Sequence, residues 1–271
     1  MISAATAPIS PLRRARHRVR THVSEHPSTY LRFARHKYPG PSPEVISEHT
    51  ELVIDGYTRS ASTFAVYAFQ LAQPRPVRLA HHLHAPAQLI EAVHQGVPAL
   101  LLIREPRGAV LSQLIREPGV AMRDALIAYC RFHTCLLRYR DGLVVGDFDE
   151  VTHDFGAVVR RLNARFQTSF IPFVNTEHNV KECLELIELR GTHSGLLLGF
   201  ESGTVSANRA RRERRRLTEE RASVPNRDAW VPSSERELRK ADLEQHWNRP
   251  GLARLRERAA ALHRTFTEVA R

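Results

Sequence analysis

The sequence predicts an α/β protein of three layers, α/β/α, with helices on both faces of a central parallel sheet. Two observations carry that prediction. Short, uniformly apolar runs recur at Leu52–Ile54, Pro98–Ile103 and Leu143–Val145, as strands buried on both faces require. Helical patterns separate them, and strands alternating with helices at this spacing build a parallel sheet through crossover connections. A third observation bounds the size. With 271 residues, 42% of them hydrophobic, the chain can bury one substantial core.

The elements follow in order. Residues 1–45 form a basic arm of short helices broken by prolines, with Arg13, Arg14, Arg16, Arg18 and Arg20 in the first of them; it is read as solvated. Residues 46–271 form a single α/β domain. Leu52–Ile54 is its first strand, ended by Asp55-Gly56, where glycine supplies the positive φ of a sharp turn. A helix runs from Phe64 to Leu71. Pro76–His82 is a second strand, Leu83–Pro86 a turn, and Ala87–His94 an amphipathic helix closed by Gly96. Pro98–Ile103, the most hydrophobic run, is a central strand. Pro106 suits the first turn of a helix reaching about Ile115. A long helix covers about Ala121–Tyr139, Leu143–Val145 is a fourth strand, and Phe155–Phe166 a further helix. From about Ile171 the pattern weakens. Residues 209–221 are a charge-dense block read as a solvated loop, and Asp242–Val269 is a terminal helix or helix pair.

Composition narrows the partners. The net charge of +11 calls for an anion, whether nucleotide, nucleic acid, acidic glycan or lipid surface. The three cysteines have neither metal-site nor disulfide-framework spacing, which fits a reducing, cytoplasmic setting. No apolar run approaches the roughly 20 residues of a membrane span.

Chemistry gathers at strand ends. After the first strand come Thr58, Arg59, Ser60, Ala61, Ser62, Thr63 and Phe64. Small hydroxyl residues around one guanidinium at a helix start offer amides, hydroxyls and charge to a phosphate; a serine or threonine N-cap would explain the same hydroxyls without a ligand. The second strand ends at His82-Leu83-His84. The third ends at Arg104, and Ser112 lies eight residues on, two turns up the next helix, within reach of a second phosphate. Helix capping and packing are the other roles open to those two.

These segments resemble the sulfotransferases that use 3′-phosphoadenosine 5′-phosphosulfate (PAPS), a family with a P-loop-like α/β fold. Tyr57 to Phe64 matches the family's Y-P-K-S-G-T-T-W loop without a gap. Arg104-Glu-Pro106 through Ser112 matches R-x-P-x-x-x-x-x-S, and His82-Leu83-His84-Ala85-Pro86 matches K-T-H-L-P. Asp147-Phe148-Asp149-Glu150 resembles the family's Y-E-D-L. The similarity covers roughly residues 50–170. It departs from the family at Arg59, where lysine is usual, at Ala61, where glycine is usual, and at His82 in a lysine position, which leaves His81, His82 and His84 all open as the base. No R-K-G segment follows near the C-terminus; the Arg209–Arg216 block is either a substitute for its grip on the 3′-phosphate or a solvated loop, the latter being preferred.

The resemblance implies PAPS as sulfuryl donor and no metal. Residues 58–64 hold the 5′-phosphosulfate, Arg59 assists the leaving phosphate, Arg104 and Ser112 hold the 3′-phosphate, and His84 is the catalytic base. The acceptor is a small molecule, lipid or carbohydrate bearing a hydroxyl or amine. Two other readings stand beside it. A P-loop small-molecule kinase would need a G-K-[ST] tail and a magnesium-holding aspartate, which the loop lacks. A non-catalytic nucleic-acid-binding or scaffold protein, or an anionic surface bound by the basic arm, would use the net charge but leaves the strand-end residues unexplained.

Overall fold

A computed structural model describes residues 10–190, 195–221 and 234–269. Four parallel strands form one sheet in the order β2-β1-β3-β4. They are β1 (Leu52–Gly56), β2 (Leu79–His81), β3 (Ala99–Ile103) and β4 (Val144–Asp147). β1 and β3 are the inner pair, in register from Val53 opposite Ala99 to Gly56 opposite Leu102. Every residue of both is buried, so their continuous apolar runs face helices on two sides.

Strand alternation divides the interior into two cores. Val53, Leu101, Ile103 and Val145 face one side, covered by α2 (Pro27–Lys37), α4 (Pro86–Gln95), α5 (Pro106–Arg116), α6 (Met122–Leu136) and α13 (Ala253–Val269). Leu52, Ile54, Leu100, Leu102 and Val144 face the other, under α3 (Ser62–Ala72), α8 (Phe155–Phe166), α9 (Glu177–Leu189) and α10 (Gly195–Ser202). The three-layer α/β/α architecture is the one the alternation of elements predicts. Among the described residues no helix is long and apolar enough to cross a membrane.

Three expectations are corrected. Gly56 does not turn the chain at positive φ; it ends β1, where a Cβ would stand 2.1 Å from the Leu102 carbonyl oxygen, so its role is close strand approach. The N-terminal segment is not a solvated arm. Tyr30, Leu31 and Ala34 of α2 enter the core, and α1 (Pro11–Val23) is tied to α6 by Arg14 and Arg18, each 2.8 Å from the buried Asp124. The charge-dense block is not a loop. It is α11 (Ala207–Arg221), seated on α9 through Arg211, whose Nε lies 2.9 Å from Glu182, and Arg214, which pairs with Glu185 at 2.9 Å. Two of its arginines, Arg211 and Arg214, pair with α9, which composition alone could not reveal. The C-terminal segment is a pair, α12 (Ser234–Trp247) and α13.

Candidate active site

The sheet order fixes where a site can form. The chain leaves β1 toward β2 on one side and leaves β3 toward β4 on the other, so the crevice between the carboxyl ends of β1 and β3 is a topological switch point, the place where ligands settle in such sheets. A cleft of about 630 Å³ opens there.

The loop after β1 enters the cleft in a strained conformation. Arg59 has φ 70° and Ala61 φ 64°, a region that costs a non-glycine residue roughly 1–2 kcal/mol. Ala61 is the N-cap of α3 and gives it no side-chain cap, and the first turn holds no acidic residue. The amides of α3 therefore keep their donors and the positive end of the helix dipole unanswered. This overturns the serine or threonine N-cap as the explanation of the hydroxyls. Ser60 and Ser62 are buried, and neither Oγ has a protein partner; a buried polar atom left alone is costly, so each invites a ligand. By contrast α5, α7 (Phe148–His153), α8 and α9 are capped by Glu105, Asp147, Asp154 and Thr176.

The second phosphate-type motif meets the first directly. Arg59 Nε donates to Ser112 Oγ at 2.9 Å, and Arg104 Nη1 donates to the Arg59 carbonyl at 3.1 Å. Arg104 is not the cap of α5, since Glu105 fills that position. Its guanidinium carbon lies over the Phe148 ring, 3.8 Å from the centroid, a cation–π contact. Thr58, Thr63, Phe64 and Ser112 also line the cleft.

His84 reaches the same cleft from the β2–α4 turn, in which both His82 (φ 58°) and His84 (φ 51°) are left-handed. Ala85, not His84, occupies the N-cap of α4, so helix capping does not explain this histidine. Its Nδ1 donates to the Gly56 carbonyl at 3.0 Å, which leaves Nε2 as the basic nitrogen. Burial pushes its pKa down to about 4; the Gly56 bond pulls upward, and the charges of Arg20, Arg59 and Arg190 push down further. A quarter of the side chain remains exposed.

The neighbouring histidines face other partners. His81 is enclosed in β2 and driven down to about 4 by burial. His82 Nδ1 lies 2.6 Å from His81 Nδ1, and its Nε2 lies 3.1 Å from Thr63 Oγ1. Burial holds His82 well below the ordinary histidine value, so it brings no fixed positive charge to a position where the resembling family has lysine. Glu201 lies close by, but Arg190 Nε at 2.5 Å, Ser42 Oγ at 2.9 Å and the Tyr67 hydroxyl at 3.0 Å all donate to it. Those bonds occupy the carboxylate that a metal at this cluster would need.

Sequence reading misses several contributors. Asp55, taken as a turn residue, is buried and accepts from the Gly56 amide at 2.9 Å, the His84 amide at 3.1 Å and Gln88 Nε2 at 3.2 Å. It ties the end of β1 to the His84 turn, and burial raises its pKa to about 7. An aspartate closing an apolar strand run was the available signal. Arg190 and Lys240 line the cleft from far along the chain, with no local signal to mark them. Residues 191–194 and 222–233, within the stretch after Ile171 where the sequence pattern weakens, lie outside the described residues.

A scan against protein-family models finds no family that matches this chain, and a search of curated proteins gives no match.

Proposed function

We propose that this protein is a sulfotransferase of P-loop-like fold that moves the sulfuryl group of PAPS to a hydroxyl or amine, and that it works in the cytoplasm. The observation that carries this reading is the meeting of three strand-end segments in one crevice: Arg59 bonds Ser112 at 2.9 Å, Arg104 bonds the backbone of Arg59, and His84 opens on the same cleft. Two anion subsites with a neutral base beside them suit a donor that carries phosphates at both its 3′ and 5′ positions. Among the described residues that line the cleft, the cations are Arg59, Arg104, Arg116, Arg190 and Lys240 and the carboxylate is Glu117, an excess of positive charge that suits a polyanion.

The residues divide the work as follows. The uncapped amides of α3, with Ser60 and Ser62, take the 5′-phosphosulfate. Arg104 and Ser112 take the 3′-phosphate. His84 Nε2 removes the acceptor proton as the acceptor oxygen or nitrogen bonds to sulfur. The bond from sulfur to the bridging phosphate oxygen breaks in the same step. Arg59 and the α3 amides receive the negative charge that the phosphate gains. A polyanion in the cleft also raises the proton affinity of the imidazole, so His84 becomes a stronger base when the donor is in place.

Calorimetric titration with 3′-phosphoadenosine 5′-phosphate, ATP and AMP tests this. The bisphosphate is expected to bind tightest, and Arg104→Ala to weaken it about 10- to 100-fold while AMP changes little. His84→Ala is expected to keep bisphosphate affinity and lose turnover about a hundredfold. Equal binding of all three nucleotides would overturn the donor assignment.

A further inference from the structure

A second, smaller cavity adjoins the cleft. It measures about 90 Å³ and shares only Thr58, His84 and Glu117 with its neighbour. The large cleft draws its lining from both faces of the sheet, with α3 and α9 on one and Ser112 and Arg116 of α5 on the other. The small cavity is walled by α1, α5 and α6, on the second of those faces. His84 lines both spaces, so a nucleophile entering from the small cavity meets the base while the leaving group stays in the large cleft.

The lining differs in charge from the cleft. Among the described residues that line it, Arg20 is the one cation and Glu117 the one carboxylate. His17, also in the wall, is kept from charging by burial, and its Nδ1 is buried with no protein partner. Thr21 and Gln113 add neutral polar groups, while Pro86 and Phe132 add apolar faces. A formally neutral cavity on a chain of net charge +11 is not built for another anion. Nor does it suit a phenol or an alkyl chain, which would bury Arg20 and Glu117 without replacing their water. The volume holds roughly six water-sized groups at about 15 Å³ each, enough for the edge of one ring.

We propose that this cavity is the acceptor subsite and that it takes an uncharged polyol, a glycoside or cyclitol. One hydroxyl meets His84 Nε2, a neighbouring hydroxyl is held between Glu117 and Arg20, and C–H faces lie on Pro86 and Phe132. The N-terminal helix α1 thereby becomes a wall of the substrate site. The inference rests on the sulfotransferase reading for its chemistry.

The test uses the full chain and ³⁵S-labelled PAPS with a panel of methyl glycosides of glucose, galactose and mannose and myo-inositol, set against 2-naphthol, tyramine and dodecanol. Label is expected on at least one polyol and on none of the others. Arg20→Gln is expected to raise KM for that polyol about tenfold, with affinity for 3′-phosphoadenosine 5′-phosphate unchanged. Thr21→Leu, which narrows the cavity without touching a charge, is expected to do the same. Label on naphthol, tyramine or dodecanol, label on no polyol while the bisphosphate binds, or an unchanged KM in both variants would overturn the subsite. Failure of the wild-type chain to bind the bisphosphate would instead sink the donor reading. The cavity is then judged alone by ligand-observed NMR with the same polyols, where no binding, or equal binding to Arg20→Gln, overturns it.

Discussion

Ala61 holds a conformation that suits glycine. Of the five non-glycine residues with positive φ among the described residues, Arg59, Ala61, His82 and His84 lie in the two turns that border the cleft, and strain of this kind persists where the surroundings over-determine it. Arg59 and His84 gain side-chain bonds at those positions; Ala61 gains none and only caps α3 through its backbone. Ala61→Gly should relieve about 1–2 kcal/mol of backbone strain and lose about 0.5–1 kcal/mol to unfolded-chain entropy. The expected net gain is up to about 1.5 kcal/mol, seen as a higher midpoint in chemical unfolding. An unchanged or lower midpoint would show that the methyl group contributes packing that glycine cannot replace. The residue type at Ala61 was plain in the sequence, but the sign of its φ was not.

At the scale of elements, what was legible followed periodicity. The helix over Phe155–Phe166 has the bounds that the sequence predicts, and the four strands differ only at their ends. What was not legible depended on partners distant in the chain. The arginines of α1 look solvated until Asp124, about 110 residues on, collects Arg14 and Arg18. Asp124 is buried, and those guanidinium groups hold its carboxyl below the usual range against the effect of burial. Asp124→Asn removes the charge that both arginines seek. Amide exchange along α1 should then rise toward unfolded-chain rates while α6 and the strands stay protected. Unchanged protection in α1 would mean that its other contacts suffice to hold it.

Across the whole molecule the buried titratable groups set the pH response. His81, His84 and His133 are pushed to about 4 in the fold, mainly by burial. The unfolded chain, whose histidines titrate near 6.5, binds more protons than the fold between about pH 4 and 6.5, so their contribution is complete above 6.5 and is lost as pH falls through that window. Asp55 acts in the other direction. Its pKa is raised to about 7, so the fold holds a proton that the unfolded chain releases above about 3.8, and its contribution fades as pH rises toward 7. Three histidines outweigh one aspartate, and stability should climb by a few kcal/mol from pH 4 to 6.5. It should then dip slightly toward neutrality, and Asp55→Asn should abolish the dip. Stability that falls steadily from pH 4 to 6.5 would contradict the histidine assignment.

The sequence by itself determined the layers, the strands and the identity of the residues at their carboxyl ends, because burial on two faces and helical periodicity are local patterns written in consecutive residues. Only the tertiary structure decided that Arg59 meets Ser112, that α3 is left uncapped, that Asp55 ties β1 to the His84 turn, and that α1 walls a second cavity. Each of those depends on backbone angles or on partners tens of residues apart, and strand order, not composition, brings such partners together.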